Sequence, residues 1–204
     1  MTEDGWDEHA RGWDENPSVR AYSEAAFASL LALEIDGRLQ LEGARVLDFG
    51  CGTGPLTEKL SERAKAVVAL DTSSAMIEIL QAKVTTLGLD NVTAIAGPIE
   101  VALGEHSEAF AAPFDVVTCS SVCGFLEEYP TMVRTLSGLL RVGGAFVQWD
   151  WERQPKDPEP FGLTRSQIEE ALEAADLRDV LVDVAFDVDC DGARMRPLLG
   201  FGLR

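Results

Sequence analysis

The stretch that decides the fold runs from residue 44 to residue 55 and reads ARVLDFGCGTGP. An apolar run leads through Asp48, and glycines then occupy positions 50, 52 and 54 before Pro55. Glycine lets the backbone pass close to a ligand and take positive φ, and proline suits the first turn of a helix. The stretch therefore predicts a buried strand, a ligand-binding turn and the start of a helix.

The spacing of these glycines separates two classes of ligand. A dinucleotide site needs the pattern G-x-G-x-x-G. A match from Gly50 would need glycine at Pro55, and a match from Gly52 would need it at Thr57. Asp48 also places an anion beside the turn, which disfavours a phosphate and favours an ammonium or sulfonium group. The turn therefore indicates a cationic ligand.

The rest of the chain alternates strand and helix signals around this turn. Continuous apolar runs are typical of parallel strands that are covered on both faces. They predict five such strands, at residues 44–50, 65–71, 91–97, 114–120 and 145–151. Helical periodicity or caps predict helices at 17–38, 55–63, 76–88, 132–140 and 164–175. The glycines at 143 and 144 are expected to close the fourth of these helices.

A different pattern follows residue 151. Three prolines in residues 154–160 indicate a loop, and two further strands are expected at 177–190 and 195–204. The link DGAR between these strands is too short for a crossover helix, so they should be antiparallel. The predicted fold class is α/β: a doubly wound, seven-stranded and mostly parallel sheet with an antiparallel C-terminal hairpin strand.

Composition limits the partners and the compartment. Acidic residues number 35 and basic residues 17 in 204, a net charge of −18, which disfavours nucleic acid and anionic membrane surfaces. No apolar run approaches the roughly 18 residues of a membrane span, and the acidic start lacks the features of a secretory signal. The four cysteines lack metal-site spacing, so we expect a cytoplasmic protein with reduced cysteines and no metal.

The run VLDFGCGTG at residues 46–54 closely resembles the nucleotide loop of class I S-adenosylmethionine-dependent methyltransferases. A second acid, Asp71, ends the second predicted strand 21 positions after Gly50, where a carboxylate can accept hydrogen bonds from both ribose hydroxyls. The resemblance implies a Rossmann-like methyltransferase fold that binds S-adenosyl-L-methionine. It covers residues 44–151, and the terminal hairpin fits the same fold.

The resemblance also assigns cofactor contacts by position. In the first half of the chain, the contacts from the turn are Asp48, Gly50, Cys51, Gly52 and Gly54. Asp71 is expected to bind the ribose, and Thr72 and Met76 are expected to pack on the adenine. The segment after strand three contributes Gly97, Pro98 and Ile99, with Pro98 where many members have an acid, and the loop after strand four contributes Ser120. The opening W-D-x-x-A-x-x-W-D resembles a segment whose aromatic residues cover the cofactor, so Trp13 is included. Trp6 and Trp13, seven apart, would share one helix face and could equally be core anchors.

Methyl transfer from a sulfonium requires alignment and exclusion of water more than a catalytic side chain. We therefore assign no catalytic residue. Candidates for the substrate pocket flank the carboxyl edge of the predicted sheet: Tyr22, Phe125, Glu128, Trp149 and Asp150. If Glu128 or Asp150 faces the methyl group, an amine or another small polar acceptor would fit.

The sequence thus predicts a methyltransferase acting on an unidentified small molecule. Residues 1–40 are expected to form a helical cap and residues 41–204 the cofactor-binding domain. A non-catalytic protein that binds S-adenosylmethionine, and a protein methyltransferase with a basic partner, stay open as alternatives. A dinucleotide-dependent oxidoreductase is less compatible with the glycine spacing. The sequence does not indicate the oligomeric state.

Overall fold

A seven-stranded sheet forms the centre of the molecule. The computed structural model describes residues 3–153, 161–190 and 193–204. The sheet order is β3-β2-β1-β4-β5-β9-β6. Its strands are β1 (Arg45–Phe49), β2 (Ala66–Asp71), β3 (Val92–Ala96), β4 (Phe114–Ser120), β5 (Leu140–Trp151), β6 (Arg178–Val184) and β9 (Pro197–Leu203), and a separate two-stranded sheet holds β7 (Val188–Cys190) and β8 (Ala193–Met195).

The strand directions confirm the predicted architecture. The pairs β3–β2, β2–β1, β1–β4 and β4–β5 are parallel, whereas β9 is antiparallel to both β5 and β6. The predicted C-terminal hairpin is therefore present, but each of its arms is divided, since β7 and β8 pair with each other outside the main sheet. The predicted loop at residues 154–160 lies outside the described residues.

Helices cover both faces of the sheet. They are α1 (Glu3–Ala10), α2 (Pro17–Ile35), α3 (Pro55–Ser61), α4 (Ser74–Leu87), α5 (Ile99–Glu105), α6 (Ser107–Phe110), α7 (Tyr129–Gly138) and α8 (Arg165–Ala174). Several begin where the sequence carries a capping residue. The Asn16 side chain accepts a hydrogen bond from the Ser18 amide at 2.8 Å, Ser73 caps α4, and Thr164 with Gln167 forms the predicted capping box.

One sequence prediction about elements was wrong, and two short helices were not predicted. Helix α7 ends at Gly138, and β5 already begins at Leu140, so the glycines at 143 and 144 belong to a strand. A tertiary contact explains why the strand begins so early. Leu140 pairs with Phe114 of β4, and the register of the β4–β5 pairing shifts between Phe114 and Val116. Helices α5 and α6 were not predicted, because each is only one or two turns long and carries little periodic signal.

Two apolar layers pack against the sheet. On one face α5, α7 and α8 cover a cluster that includes Phe114, Phe146 and Leu172. On the other face α2 and α3 cover a second cluster, in which Leu30 of α2 and Trp149 are fully buried. Helix α2 is thus part of the layered core, whereas α1 reaches α4 near the carboxyl edge of the sheet. Within the described residues, no helix is long and apolar enough to cross a bilayer.

Candidate functional site

A cavity of about 460 Å³ opens at the carboxyl ends of the parallel strands. Ligands in open α/β sheets bind at this edge, where neighbouring strand ends and the following loops converge. The glycine turn after β1 forms one end of the cavity, together with Asp71, Thr72, Met76 and Gly97; we call this the turn end. A second group of lining residues, which is mainly aromatic, consists of Trp6, Tyr22, Ser121, Phe125 and Trp151; we call this group the aromatic end.

The turn needs glycine at two positions because the loop after β4 and helix α4 pack closely against its backbone. Gly50 has φ +70°, and a Cβ at that position would lie 2.5 Å from Cγ2 of Val122 in the loop after β4. Gly54 has φ +85°, and its Cβ would lie 2.3 Å from Cδ1 of Leu80 in α4. Side chains at these positions would push away the loop after β4 and α4. The glycines therefore serve packing as well as backbone access to a ligand.

Asp71 connects the end of β2 to the turn and to α4. One carboxylate oxygen accepts a hydrogen bond from the Gly52 amide at 2.8 Å, and the other accepts one from the Ser73 amide at 2.9 Å. Burial raises the pKa of Asp71, while those backbone donors oppose the shift. Each carboxylate oxygen has two lone pairs, so the group keeps acceptor capacity toward a ligand in the cavity.

Asp48 is more enclosed than the sequence suggested. The residue is 1% exposed, and its carboxylate accepts hydrogen bonds from the hydroxyls of Thr57 at 2.6 Å and Thr118 at 2.9 Å. Burial raises its pKa to about 6, against the lowering effect of the two hydroxyls. Asp48 therefore joins α3 to β4 beneath the turn, and it contributes negative charge to the cavity wall from a fixed position.

Residues 3–16 lie across the cavity. Trp6 and Trp13 both line it, and their ring centroids are 6.2 Å apart in an edge-on arrangement. Helix α1 ends at Ala10 and Trp13 begins a separate 3-10 turn, so the prediction that both indoles share one helix face was wrong. The segment is attached by Asp14, which accepts a hydrogen bond from the Thr53 hydroxyl at 2.6 Å and pairs with Lys83 at 2.7 Å.

A second attachment of this segment involves α4. Asp7 accepts hydrogen bonds from the Ser73 hydroxyl and from the Ala75 amide, at the first turn of that helix. A carboxylate is favourable there because it meets both the unpaired amides and the positive end of the helix dipole. The sequence offers no local signal for this contact, since residues 7 and 73 are 66 positions apart.

Aromatic side chains dominate the aromatic end. Phe125 contacts Trp6 edge-on with 4.9 Å between centroids, and the Tyr22 and Trp151 rings are 5.0 Å apart. The polar atoms of the Trp151 and Tyr22 rings already have partners. The Trp151 indole donates to the Ser121 hydroxyl at 2.8 Å, and the Tyr22 hydroxyl donates to the Trp149 carbonyl at 3.0 Å.

Ser121 occupies a strained position between these rings. Its φ of 55° makes it one of three non-glycine residues with positive φ among the described residues. The Ser121 amide donates to the Trp149 carbonyl at 2.8 Å, which fixes the loop after β4 against the end of β5. Such strain is often found at functional loops.

Most of the predicted cofactor residues line this cavity. They are Asp48, Gly50, Cys51, Gly52, Asp71, Thr72, Met76, Gly97, Ser120 and Trp13, and of the substrate candidates Tyr22 and Phe125 line it too. Gly54, Pro98 and Ile99 lie outside the wall. Gly54 caps α3, Pro98 caps α5, and Ile99 is buried in the core at 1% exposure. The binding role of each residue stays a prediction.

The other three substrate candidates lie away from the cavity. Trp149 is fully buried in the core and donates from its indole to the Ser29 hydroxyl at 3.0 Å. Glu128 is exposed at the start of α7. Asp150 is fully buried, and its carboxylate accepts hydrogen bonds from the amides of Gly124 and Trp151 at 3.0 Å.

These positions do not support the condition that Glu128 or Asp150 faces the transferred methyl group, on which the polar acceptor depended. Burial raises the pKa of Asp150 to about 6. Its role is to hold the loop that carries Phe125, because its oxygens are directed at backbone amides. Neither Glu128 nor Asp150 is among the described lining residues, so the structure gives no support to an acceptor selected by one of these carboxylates.

Sequence reasoning missed some of the cavity wall. Helix α2 contributes Ser18, Val19 and Ser23 in addition to Tyr22. Ser18 and Val19 precede Tyr22 and Ser23 by three to five residues, which places the four on one helix face, so Tyr22 together with helical periodicity could have identified the others. Leu126 was also missed, and no local signal distinguishes it from a core leucine. Within the described residues, no group of three or more His, Cys, Asp or Glu side chains could hold a metal.

Comparisons with known proteins agree with this geometry. Residues 46–144 match the family model described as a methyltransferase domain. The chain is similar to the ubiquinone biosynthesis O-methyltransferase of Hahella chejuensis, with 32% identity over 152 residues, which cover 74% of this chain and 59% of that protein. The chain spans about half the length of the curated relatives it matches, from 50 to 60% for the first three.

Solved structures show the same fold. A SAM-dependent methyltransferase from Aquifex aeolicus superposes with a TM-score of 0.67 at 20% identity, and the match covers 97% of each chain. Magnesium protoporphyrin IX methyltransferase from Synechocystis, with bound SAH, gives 0.69 at 18% identity, over 92% of this chain and 85% of that one. Residues 46–144 thus match a methyltransferase domain, and the chain has the fold of solved S-adenosylmethionine-dependent methyltransferases.

Proposed function

We propose that this protein transfers a methyl group from S-adenosylmethionine to a small molecule. One observation carries the proposal: the glycine turn and the carboxylate of Asp71 face the same cavity at the carboxyl edge of the parallel strands. That combination suits a nucleoside with two free ribose hydroxyls and a positively charged sulfur. When bound, S-adenosylmethionine supplies a methyl carbon that is activated by the sulfonium charge.

The chain's own residues fit this ligand. Asp71 retains acceptor capacity for ribose hydroxyls, and Thr72 and Met76 provide packing surface beside it. Asp48 adds a negative charge at a fixed position near the turn, which favours a cationic ligand. Trp13 covers Gly52, since its indole nitrogen is 3.7 Å from the position of a Cβ on that glycine.

Methyl transfer then depends on the orientation of the acceptor and on the exclusion of water. Trp6, Phe125 and Trp151 surround the aromatic end with apolar surface, which excludes water from the acceptor. The fixed loop after β4 holds Ser121 and Phe125 in place. Alignment of this kind can supply several kcal/mol of barrier lowering without an acid or a base. A small-molecule acceptor agrees with the name of the Hahella chejuensis relative.

The role of Asp71 tests the proposal. We expect Asp71→Asn to weaken binding of S-adenosylhomocysteine about 10- to 100-fold in calorimetric titration, because a charge-assisted hydrogen bond contributes about 1.5–3 kcal/mol. Asp90→Asn is the matched control, since Asp90 is exposed and precedes β3 at the opposite edge of the sheet. Equal affinities for both variants, or no binding by the unmodified protein, would contradict the proposal.

A further inference from the structure

The aromatic end has an electrostatic character that restricts the acceptor. Six aromatic side chains are among the described lining residues: Trp6, Trp13, Tyr22, Phe49, Phe125 and Trp151. The charged side chains in the wall are the carboxylates of Asp48 and Asp71, and the described lining residues include no lysine, arginine or histidine. Ring faces and carboxylates both favour positive charge. An anionic acceptor would therefore meet no counter-charge from these residues.

Proton acceptors are also poorly placed for an acceptor at this end. Asp48 is enclosed by two threonine hydroxyls beneath the turn, and Asp71 accepts two backbone amides at the end of β2. The Tyr22 hydroxyl already donates to the Trp149 carbonyl. A phenol needs to lose its proton as its oxygen is methylated. The described lining residues of the aromatic end include no carboxylate or imidazole, and the His9 imidazole packs against Trp6 outside that lining.

Resting on the proposed function, we propose that the acceptor is a flat, uncharged aromatic molecule with a ring nitrogen of the pyridine type. In the transfer, the nitrogen lone pair forms the new N–C bond to the methyl carbon. The C–S bond breaks, and its electron pair stays on sulfur as the neutral thioether. The positive charge moves from sulfur to nitrogen, so no proton is released and no base is needed. The product is an N-methylated cation between aromatic ring faces.

Binding of the product cation tests this without relying on turnover. The probes are 2-methylisoquinolinium, its uncharged isostere 2-methylnaphthalene, and the anion 2-naphthoate. Each is titrated against the full chain saturated with S-adenosylhomocysteine, with tryptophan fluorescence as the readout. We expect the cation to bind at least tenfold more tightly than 2-methylnaphthalene, and 2-naphthoate to bind most weakly. Equal affinity for the two isosteres would overturn the proposal.

A matched pair of variants locates the effect. Phe125→Leu removes one ring from the aromatic end, whereas Phe110→Leu makes the same change in α6, where Phe110 packs on Phe114 away from the cavity. We expect the ratio of the affinities for 2-methylisoquinolinium and 2-methylnaphthalene to fall about fivefold in Phe125→Leu and to be unchanged in Phe110→Leu. An unchanged advantage in both variants would contradict the role of the rings.

Turnover supplies a second test. With S-adenosylmethionine, isoquinoline should be methylated without a change in the pH of a weakly buffered solution, whereas 2-naphthol should not react. Methylation of 2-naphthol with release of one proton, and none of isoquinoline, would overturn the inference and leave the proposed function standing. Failure to bind S-adenosylhomocysteine at all would instead overturn the proposed function.

Discussion

Buried or partly buried aspartates at or near the ends of strands organise the site residue by residue. Asp48 follows the apolar run of β1 and accepts two threonine hydroxyls, Asp71 ends β2 and accepts two amides, and Asp150 near the end of β5 accepts two more. Each carboxylate holds the element that comes next in the cavity wall. The cost is desolvation, which raises the pKa of all three groups.

The pH dependence of stability tests the burial of Asp150. Its pKa is about 6 in the folded chain and 3.8 ordinarily, so the folded state binds more protons between about pH 4 and pH 6. The free energy of unfolding should therefore fall as pH rises through this window. Relative to Asp150→Asn, which cannot ionise, the loss should reach about 3 kcal/mol.

Urea denaturation of the unmodified protein and of Asp150→Asn between pH 4 and pH 7 measures this difference. Asp48 titrates in both proteins, so its contribution cancels. A constant offset from altered hydrogen bonds in the variant does not affect the slope. Parallel curves over the whole window would show that Asp150 does not carry the shifted pKa.

A matched pair of glycine substitutions separates steric contact from backbone strain. Gly50 and Gly88 have similar φ values, +70° and +66°, but only at Gly50 would a Cβ meet a neighbour, Val122. Gly88→Ala should cost about 1–2 kcal/mol for the positive φ. Gly50→Ala should cost about 1–3 kcal/mol more, because Val122 must move. Thermal or urea unfolding checks this, and equal costs would show that the loop after β4 yields freely.

Among the elements, the N-terminal segment differs from the helix that follows it. Residues 3–16 attach to the body through Asp7 and Asp14, while α2 buries Ala26 and Leu30 in the core beneath the sheet. We propose that the expected cap at residues 1–40 consists of two parts, a cover at residues 3–16 and a core helix. The boundary of the cofactor-binding domain at residue 41 stays a prediction.

Lys83 of α4 should control the stability of this cover. Its ammonium group pairs with Asp14 at 2.7 Å and Glu58 at 2.8 Å, and its side chain is 22% exposed. Lys83→Met should speed amide hydrogen exchange in residues 3–16 about fivefold, corresponding to about 1 kcal/mol for a partly screened pair. The control is Lys65→Met, since Lys65 is exposed in the loop before β2. Equal exchange in both variants would assign the attachment to Asp7 and the tryptophans alone.

For the whole molecule, the net charge of −18 creates a field that extends beyond the cavity. Such a field attracts cations at a distance and is screened by salt over roughly 10 Å at 0.1 M. Asp48 and Asp71 give the cavity wall a negative charge as well. Surface and site therefore both favour a ligand with net positive charge.

Salt dependence of association tests this field. S-adenosylmethionine carries a net positive charge, whereas S-adenosylhomocysteine is a neutral zwitterion. Between about 10 mM and 500 mM NaCl, the association rate of the first should fall severalfold and that of the second should change little. Stopped-flow tryptophan fluorescence measures both rates. The same dependence for both ligands would show that the long-range field has no part in binding.

The sequence alone determined the features that depend on neighbouring residues. The strand, turn and helix at residues 44–61, the alternation of apolar runs with helical periods, and the antiparallel pair at the C-terminus all follow from local patterns. Such patterns are reliable because the period of apolar residues and the conformational needs of glycine and proline act over a few residues. They sufficed to predict the fold and most of the turn end.

Only the tertiary structure decided which side chains meet. Thr118 reaches Asp48 across 70 positions, Asp7 reaches Ser73 across 66, and Asp150 is directed into the protein and not at the cavity. These outcomes depend on strand order and on which face of β5 packs inward, and no local pattern contains that information. The aromatic end was therefore only partly predictable, because it is assembled from the N-terminal segment, α2, the loop after β4 and the end of β5, elements that are distant in the chain and adjacent only in the fold.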